Sequence, residues 1–193
     1  MQLKVQNLHC SRNQQNLFHH LNFELNRGDI LHIGGPNGAG KSSLLKILCH
    51  LMSPQEGEVI WENKKDLLYI GHQLGVVGEL TVNENFKFIR SLAPAKSVDS
   101  SEILAQLQLT PWQTTLCNKL SAGQRQKVAL ARLWLLNASA WILDEPFSSL
   151  DQETIAVVQK TCIDHLNAGG LIILSSHQPL SLSGINIRKL NLR

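Results

Sequence analysis

The sequence predicts an α/β fold: a largely parallel sheet, preceded by antiparallel strands and interrupted by a helical insert. Two apolar runs, Ala140–Leu143 and Leu171–Leu174, lack polar alternation, as expected for parallel strands that are covered on both faces. Residues 21–25 instead alternate between apolar and polar side chains, which is typical of a strand with one solvated face. A glycine-rich loop at 35–40 separates a short apolar strand from a helical pattern. This order of elements favours a single α/β domain of 193 residues.

The first third of the chain is predicted to be mainly β structure. Apolar residues roughly alternate in Leu3–Leu8 and Leu21–Leu25, and the apolar strand Ile30–Ile33 runs into the glycine loop. Leucines recur at helical spacing after Lys41, so we expect a helix that continues to Leu51 and ends before the next proline. Two further strands are expected, at Glu58–Trp61 and Leu67–Ile70.

A helical subdomain is predicted in the middle of the chain. Thr81 and Glu84 match a capping box, in which each side chain bonds the backbone N–H of the other residue, and apolar residues follow at helical spacing. The acidic pair at 99 and 102 repeats this pattern. We therefore expect a helical subdomain at 76–125 within a core formed by 1–75 and 126–193.

The α/β core is predicted to resume after this insert. Residues 124–136 have a helical pattern, and the buried strand that follows ends at the acidic pair Asp144-Glu145. Ile155, Val158, Cys162 and Leu166 share one face of a further helix, which Gly169-Gly170 ends. Residues 185–192 are expected to form a last strand at the edge of the sheet.

Composition excludes some classes of protein. The net charge of +3 gives no case for a nucleic-acid partner, which would require a strongly basic face. The four cysteines are scattered and form no pair at metal-ligand spacing, as in a reduced cytosolic protein. We expect no signal peptide, and no apolar run approaches the roughly 20 residues that span a bilayer. Any membrane role would thus require another polypeptide.

The glycine loop has the chemistry of a phosphate site. Residues 35–42 fit the pattern G-x-x-x-x-G-K-[ST], with a strand before them and a helix after them. Glycines let backbone N–H groups turn around phosphate oxygens, and the helix start adds a positive dipole. Lys41 can place its charge on the β- and γ-phosphates, and the Ser42 hydroxyl can bind Mg²⁺. The predicted nucleotide-binding residues are Gly35, Pro36, Asn37, Gly38, Ala39, Gly40, Lys41, Ser42 and Ser43.

The acidic pair Asp144-Glu145 is the second candidate site. At the carboxyl end of a buried parallel strand, Asp144 can hold Mg²⁺ and Glu145 can act on a water molecule. Such a pair can also be a solvated turn or a helix cap, especially before Pro146, and taken alone the two interpretations are about equally supported. The phosphate loop in the same chain favours the functional one.

The pentapeptide Leu120–Gln124, placed twenty residues ahead of Asp144, resembles the signature motif of ATP-binding-cassette (ABC) ATPases. The resemblance covers nearly the whole chain. It implies a P-loop NTPase (RecA-like) core with an antiparallel β subdomain and a short helical insert, which binds ATP and Mg²⁺ and hydrolyses ATP. In that family two copies close head to tail. Ser121, Gly123 and Gln124 are thus implied to contact the ATP that another copy's Lys41 loop holds.

The same resemblance implies roles for other residues. Gln73 matches the glutamine that senses the γ-phosphate through Mg²⁺, and His177 matches the histidine that contacts this phosphate. Asp144 is implied to bind the metal and Glu145 to polarise the attacking water. Asp151 matches the loop that communicates between the two sites of a dimer; it would also make a good N-cap for the next helix.

Two positions depart from the family pattern. Most members have an aromatic residue about 23 positions before the phosphate loop, where it stacks on adenine; here that position is Arg12. A guanidinium can stack on a base, although a polar loop residue is the simpler description. Ala122 replaces the commoner glycine of the signature motif, and we expect the small side chain to be tolerated.

Narrower motifs resemble one branch of the family. The segments 70–73, 141–147 and 177–180 are similar to the ATP-binding protein of cytochrome c biogenesis, the ATPase of a haem exporter complex. The resemblance implies membrane-embedded partner subunits, a second copy of the chain, and a location at the cytoplasmic face of the inner membrane. Two alternatives stay open: the ATPase of another small ABC exporter, and a soluble ABC ATPase of the iron–sulfur assembly type.

Overall fold

The computed structural model describes residues 2–12, 15–62, 67–92, 94–177 and 181–192. The chain forms two compact units. The first consists of the residues up to His72, Ser139–Glu145, and those from Ile163 onward; the second consists of Gln73–Ala138 and Pro146–Cys162. The single-domain organisation and its boundaries, as inferred from the sequence, stay predictions.

Two sheets build the first unit, and they confirm the predicted α/β class with an antiparallel subdomain. An antiparallel sheet has the strand order β2-β1-β4, and a parallel sheet has the order β5-β6-β7-β3-β8. The strands are β1 (Leu3–Arg12), β2 (Gln15–Leu25), β3 (Ile30–Gly34), β4 (Glu56–Trp61), β5 (Leu67–Ile70), β6 (Ala140–Asp144), β7 (Leu171–Ser175) and β8 (Ile187–Asn191). The last strand lies at the sheet edge, as the sequence predicts.

The centre of the parallel sheet is the core of this unit. Every residue of β3, β6 and β7 is buried, and each fully buried Leu, Ile or Val contributes about 1.5–3 kcal/mol through removal of apolar surface from water. Helix α1 (Lys41–Leu48) contacts β6 and β7. Because β6, β7 and β3 are parallel neighbours, the loops that follow them begin at one edge of the sheet. Ligands of open α/β sheets bind at this carboxyl edge.

Helix α1 ends at Leu48, so the prediction that it continues to Leu51 was wrong. His50 adopts a left-handed conformation with φ of 56°. Its N–H donates to the Ile47 carbonyl at 2.9 Å, and the Leu51 N–H donates to the Lys46 carbonyl at 2.8 Å. These two bonds form a Schellman motif, which satisfies the last carbonyls of the helix and turns the chain away.

The second unit is helical. Its helices are α2 (Val82–Leu92), α3 (Ser100–Gln106), α4 (Ala122–Leu130), α5 (Arg132–Leu135) and the first part of α6 (Gln152–Asn167), with short 3₁₀ turns at Thr110–Trp112 and Cys117–Lys119. The predicted capping box forms at α2: Thr81 N–H donates to Glu84 Oε2 at 2.8 Å, and Glu84 N–H donates to Thr81 Oγ1 at 3.2 Å. At α3, Asp99 instead accepts from the Ser101 N–H, so the second predicted box is replaced by a simple cap.

The helix predicted at 124–136 is two helices that begin earlier. Helix α4 starts at Ala122 because Ser121 caps it, and Ala131 separates it from α5. Across the described ranges, no helix has both the length and the apolar character needed to cross a bilayer.

Candidate active site

The glycine loop connects β3 to α1 within the first unit, and its shape requires glycine. Gly35 and Gly40 have φ of 139° and 94°, a region that residues with a side chain rarely adopt. A Cβ at Gly35 would lie 2.6 Å from the Leu192 carbonyl oxygen, and one at Gly40 would lie 2.9 Å from the Cβ of Leu17. The chain thus approaches the loop from both sides, and only glycine fits at these two positions.

Lys41 is folded back onto the loop. Its side chain is buried (7 % exposed), and its Nζ donates to the carbonyls of Gly35 and Pro36, both at 3.0 Å. An ammonium group held at the centre of a turn of backbone is a charge placed for an anion. Asn37, Gly38 and Ser42 are exposed around it, so a phosphate group has access. The residues present therefore fit a triphosphate.

The two acids follow β6 at the same edge of the sheet. Asp144 lies opposite Ser175 of β7, whose hydroxyl donates to Asp144 Oδ1 at 2.6 Å and accepts the Glu145 N–H at 3.0 Å. Asp144 is buried, and its Oδ2 has no hydrogen-bond partner within the described parts of the chain. A buried carboxylate oxygen without a partner costs free energy unless a cation or donor reaches it. Asp144 thus has the chemistry of a cation ligand.

The charge of Asp144 affects the pKa of its neighbour Tyr69. Burial, with the Asp144 carboxylate adding to it, raises the pKa of Tyr69 to about 12. The phenol, which is protonated at neutral pH as tyrosines ordinarily are, therefore stays neutral into the alkaline range, so this side chain adds no negative charge beside Asp144.

Glu145 and His177 lie next to each other in the first unit. The His177 N–H donates to Glu145 Oε2 at 3.3 Å, and His177 Nε2 lies 3.4 Å from Oε1. The second contact is a close approach without a hydrogen bond, since Oε1 accepts none from the described residues. Glu145 has φ of 51°, a left-handed conformation that costs a non-glycine residue free energy and is concentrated at functional sites.

The segment that resembles the signature motif begins α4 in the second unit. Ser121 Oγ accepts the Gln124 N–H at 3.2 Å, and Gln124 Oε1 accepts the Ser121 N–H at 2.8 Å, which is a complete capping box. A Cβ at Gly123 would lie 2.4 Å from the Ser149 carbonyl oxygen, so this position admits only glycine. Ala122 is exposed. A hydroxyl that accepts in the cap keeps its own proton, so Ser121 can still donate to a phosphate.

Asp151 belongs to the same unit and has two partners. Its Oδ1 accepts the Thr154 N–H at 2.8 Å, which caps α6, and its Oδ2 lies 2.7 Å from Lys127 Nζ. The hydrogen bond with Lys127, followed by that with the Thr154 backbone, holds the pKa of Asp151 well below its usual range. The alternative that Asp151 caps a helix is thus realised; its role between two copies stays a proposal.

Gln73 and Arg12 are the remaining candidates. Gln73 is exposed, and the guanidinium of Arg132 donates to the carbonyls of the next two residues, Leu74 at 2.6 Å and Gly75 at 2.5 Å. Burial lowers the pKa of Arg132 from its very high ordinary value. Arg12 ends β1, is exposed, and pairs with Gln15 across the hairpin.

An open cleft of about 350 Å³ lies between β2 and the end of β8 in the first unit. Leu17 and Leu192 line it, and these are the residues that contact Gly40 and Gly35. The cleft therefore shares two of its lining residues with the surroundings of the glycine loop.

The structure brings together only part of the predicted site. The glycine loop, Asp144, Glu145 and His177 share the carboxyl edge of the parallel sheet, whereas Gln73, Ser121–Gln124 and Asp151 belong to the second unit. Three contact residues were missed by sequence reasoning: Ser175, Lys127 and Arg132. Ser175 could have been found as the residue that ends the run Leu171–Leu174; the other two are cations within the helical pattern at 124–136.

Fold and site together define an ABC-type ATP-binding cassette, and comparison with known proteins agrees. The ABC transporter family matches residues 18–148. The cytochrome c biogenesis ATP-binding export protein CcmA of Idiomarina loihiensis is 43 % identical over 98 % of this chain and 92 % of its own length. The CcmA of Escherichia coli O157:H7 is 40 % identical over 98 % of this chain and 96 % of its own.

A solved structure shares the fold across the whole chain. It is a putative ABC transporter ATP-binding protein from Pyrococcus furiosus, with a TM-score of 0.82 and 26 % identity, covering 100 % of this chain and 98 % of that one. The chain therefore belongs to the ABC transporter family, and within it to the family of cytochrome c biogenesis ATP-binding export proteins. It is an ATP-binding, ATP-hydrolysing subunit of that class.

Proposed function

We propose that this chain hydrolyses Mg²⁺-ATP as the nucleotide-binding subunit of a haem exporter complex in cytochrome c biogenesis. The observation that carries the hydrolytic part is the Ser175 hydroxyl, which orients Asp144 through its side chain and Glu145 through its backbone. The similarity to ATP-binding export proteins of cytochrome c biogenesis supports the choice of complex.

The phosphates are proposed to lie against the glycine loop and the first turn of α1, residues 35–43. Lys41 would exchange its two carbonyl partners for phosphate oxygens. Ser42, Gln73 and the unpaired Oδ2 of Asp144 are the oxygen donors proposed for Mg²⁺, which prefers such ligands. When bound, the ion would neutralise phosphate charge. We propose that the adenine base lies on the side of Arg12, the residue at the position where most family members have the stacking aromatic.

Glu145 is proposed to accept a proton from the attacking water. As the water oxygen bonds to the γ-phosphorus, the bond from this phosphorus to the bridging oxygen breaks, and ADP leaves. A carboxylate 3.4 Å from the His177 ring can share the acquired proton with it or hold the ring against the γ-phosphate. Glu145 and His177 both lie at the carboxyl edge of the parallel sheet, where the phosphate loop also begins.

The second half of each site is proposed to come from another copy. Ser121, Gly123 and Gln124 start a helix, and a helix start carries unsatisfied N–H groups and a positive dipole that suit an anion. Asp151 would lie at the same interface. Two copies arranged head to tail would then enclose two ATP molecules, a closed symmetric dimer.

Replacement of Ser121 by aspartate should disable the partner's site and spare the chain's own loop. Aspartate still caps the helix, so α4 should form as before, but its charge opposes phosphate. Ser121→Asn is the matched control, because asparagine also caps and has no charge. We expect ATP occlusion to be lost in Ser121→Asp and largely kept in Ser121→Asn.

Mixing experiments locate the defect. When Ser121→Asp is mixed with Lys41→Ala, random pairing makes about half of the dimers heterodimers, each with one intact site, so about a quarter of wild-type ATP occlusion should return. If each site were built within one chain, no mixture of the two variants would recover occlusion, and the head-to-tail arrangement would be wrong.

Isolation of the chain from membranes tests the assignment to an exporter. We expect it at the cytoplasmic face of the inner membrane, held by membrane subunits of the cytochrome c biogenesis complex that co-purify with it in detergent. Membrane subunits of a different exporter would redirect the assignment to that system. Recovery of the chain entirely in the fraction free of membranes would favour the soluble iron–sulfur type.

A further inference from the structure

Lys127 is a buried cation to which the proposed hydrolysis assigns no role. It lies on α4 six residues after the cap at Ser121, and its side chain is only 9 % exposed. Its Nζ lies 2.7 Å from Asp151 Oδ2 and donates to Gln108 Oε1 at 3.1 Å. Removal of an ammonium group from water is costly, so an apolar side chain here would serve packing better. Packing therefore does not explain a lysine at this position, and we look for another role of its charge.

Two further contacts join α4 to the loop at 146–151. Gln126 Nε2 donates to the Pro146 carbonyl at 3.1 Å. Gly123 lies so close to Ser149 that a Cβ would be 2.4 Å from its carbonyl oxygen. Ser149 itself has a left-handed φ of 60°, which costs a non-glycine residue free energy, so the surrounding contacts hold this turn in a strained conformation. Three points of α4 therefore hold one short loop.

We propose that Lys127 is a positioning residue that locks the signature segment, Leu120–Gln124, and the loop at 146–151 into one rigid body. Ser121 and Asp151 then approach a partner copy with a fixed separation. This inference rests on the proposed head-to-tail dimer, because in that arrangement both segments serve the nucleotide of the other chain. Loss of the lock would misplace groups at the partner's site by a small distance, which is enough to slow a reaction that depends on positioning.

The two partners of the ion pair are not equivalent as targets. The Asp151 side chain is 49 % exposed, so water can solvate its carboxylate once Lys127 is gone. Removal of Asp151 would instead leave a buried ammonium with a single amide partner, which destabilises the fold. Lys127→Met keeps the length of the side chain and removes the charge, so it is the cleaner variant. Lys127→Arg restores a cation, and Lys160→Met, on the exposed side of α6, controls for loss of a lysine.

The test uses the complex purified from membranes, with kcat, KM, melting temperature and ATP binding measured for each variant. We expect Lys127→Met to lower kcat about tenfold to a hundredfold, with KM, ATP binding and melting temperature close to wild type. Lys127→Arg should recover part of kcat, and Lys160→Met should match wild type. A wild-type complex without ATP hydrolysis would contradict the proposed function itself, a result distinct from any difference between variants.

A mixing experiment separates positioning from a general structural role. The defect of Lys127→Met should lie in the partner's site, so a mixture with Lys41→Ala should regain about a quarter of wild-type activity, the recovery that we also expect for Ser121→Asp. Unchanged kcat in Lys127→Met would overturn the inference. So would a fall in kcat that is matched by a fall in melting temperature and in ATP binding and is not relieved by mixing, because that is the behaviour of a residue that only stabilises its own chain.

Discussion

Replacement of Glu145 by glutamine should lower ATP hydrolysis by about 10²–10⁴-fold, the range contributed by a general base. Glutamine keeps the shape of the side chain and an oxygen that can accept the His177 N–H, but it cannot take a proton from water. The phosphate loop and Asp144 are unaltered, so ATP should remain bound. The expected product is therefore a chain trapped with ATP in the closed dimer.

The measurement combines single-turnover hydrolysis with size-exclusion chromatography in the presence of ATP and Mg²⁺. Glu153→Gln, which removes a carboxylate exposed near the start of α6, is the matched control and should behave as wild type. Equal hydrolysis by Glu145→Gln and wild type would remove Glu145 from the proposed mechanism. The contact between Glu145 and His177 would then serve only to stabilise the structure.

Lys41→Ala should suppress hydrolysis by a different route, through weaker binding of ATP. Hydrogen bonds to charged groups contribute about 1.5–3 kcal/mol each, so loss of the ammonium should weaken ATP binding by roughly tenfold or more. The carbonyls of Gly35 and Pro36 would also lose their shared donor, which loosens the loop. Equilibrium binding of a fluorescent ATP analogue measures this effect directly.

Lys46→Ala provides the matched control for Lys41, because Lys46 is an exposed lysine on the same short helix. It should retain ATP binding and hydrolysis. Together the variants separate two losses: Lys41→Ala should bind nucleotide weakly, and Glu145→Gln should hold nucleotide without turnover. ATP binding by Lys41→Ala that equals wild type would contradict the assignment of the glycine loop as the phosphate site.

The strands were predictable from sequence because burial on two faces selects unbroken apolar runs, as in Leu171–Leu174. The end of α1 was not, because the Schellman turn uses His50 in a left-handed conformation that glycine usually supplies. The start of α4 at Ala122 was also missed. From the sequence, Ser121 was interpreted only as part of the signature motif. In the structure, its hydroxyl and the Gln124 side-chain amide together fix the first turn of α4.

The motifs located the candidate residues, and the contacts that orient them came only from the structure. Asp144 and Ser175 are 31 positions apart, and they meet because β6 and β7 pair in a particular register. Sequence patterns within one strand do not determine that register. Lys127 and Asp151 are likewise remote in sequence, and a lysine in a helix is far more often solvated than buried.

The reciprocal cap at Ser121 has a consequence for the proposed assembly of two copies. Since the cap is complete within one chain, the hydroxyl and the first turn of α4 are already ordered before a partner arrives. Association then loses little conformational entropy at this contact, a loss that otherwise weakens binding by about 0.5–1.5 kcal/mol for each immobilised side chain. The free-energy difference between open and closed states should accordingly depend on the nucleotide, so that ATP occupancy, more than loop folding, sets the timing of closure.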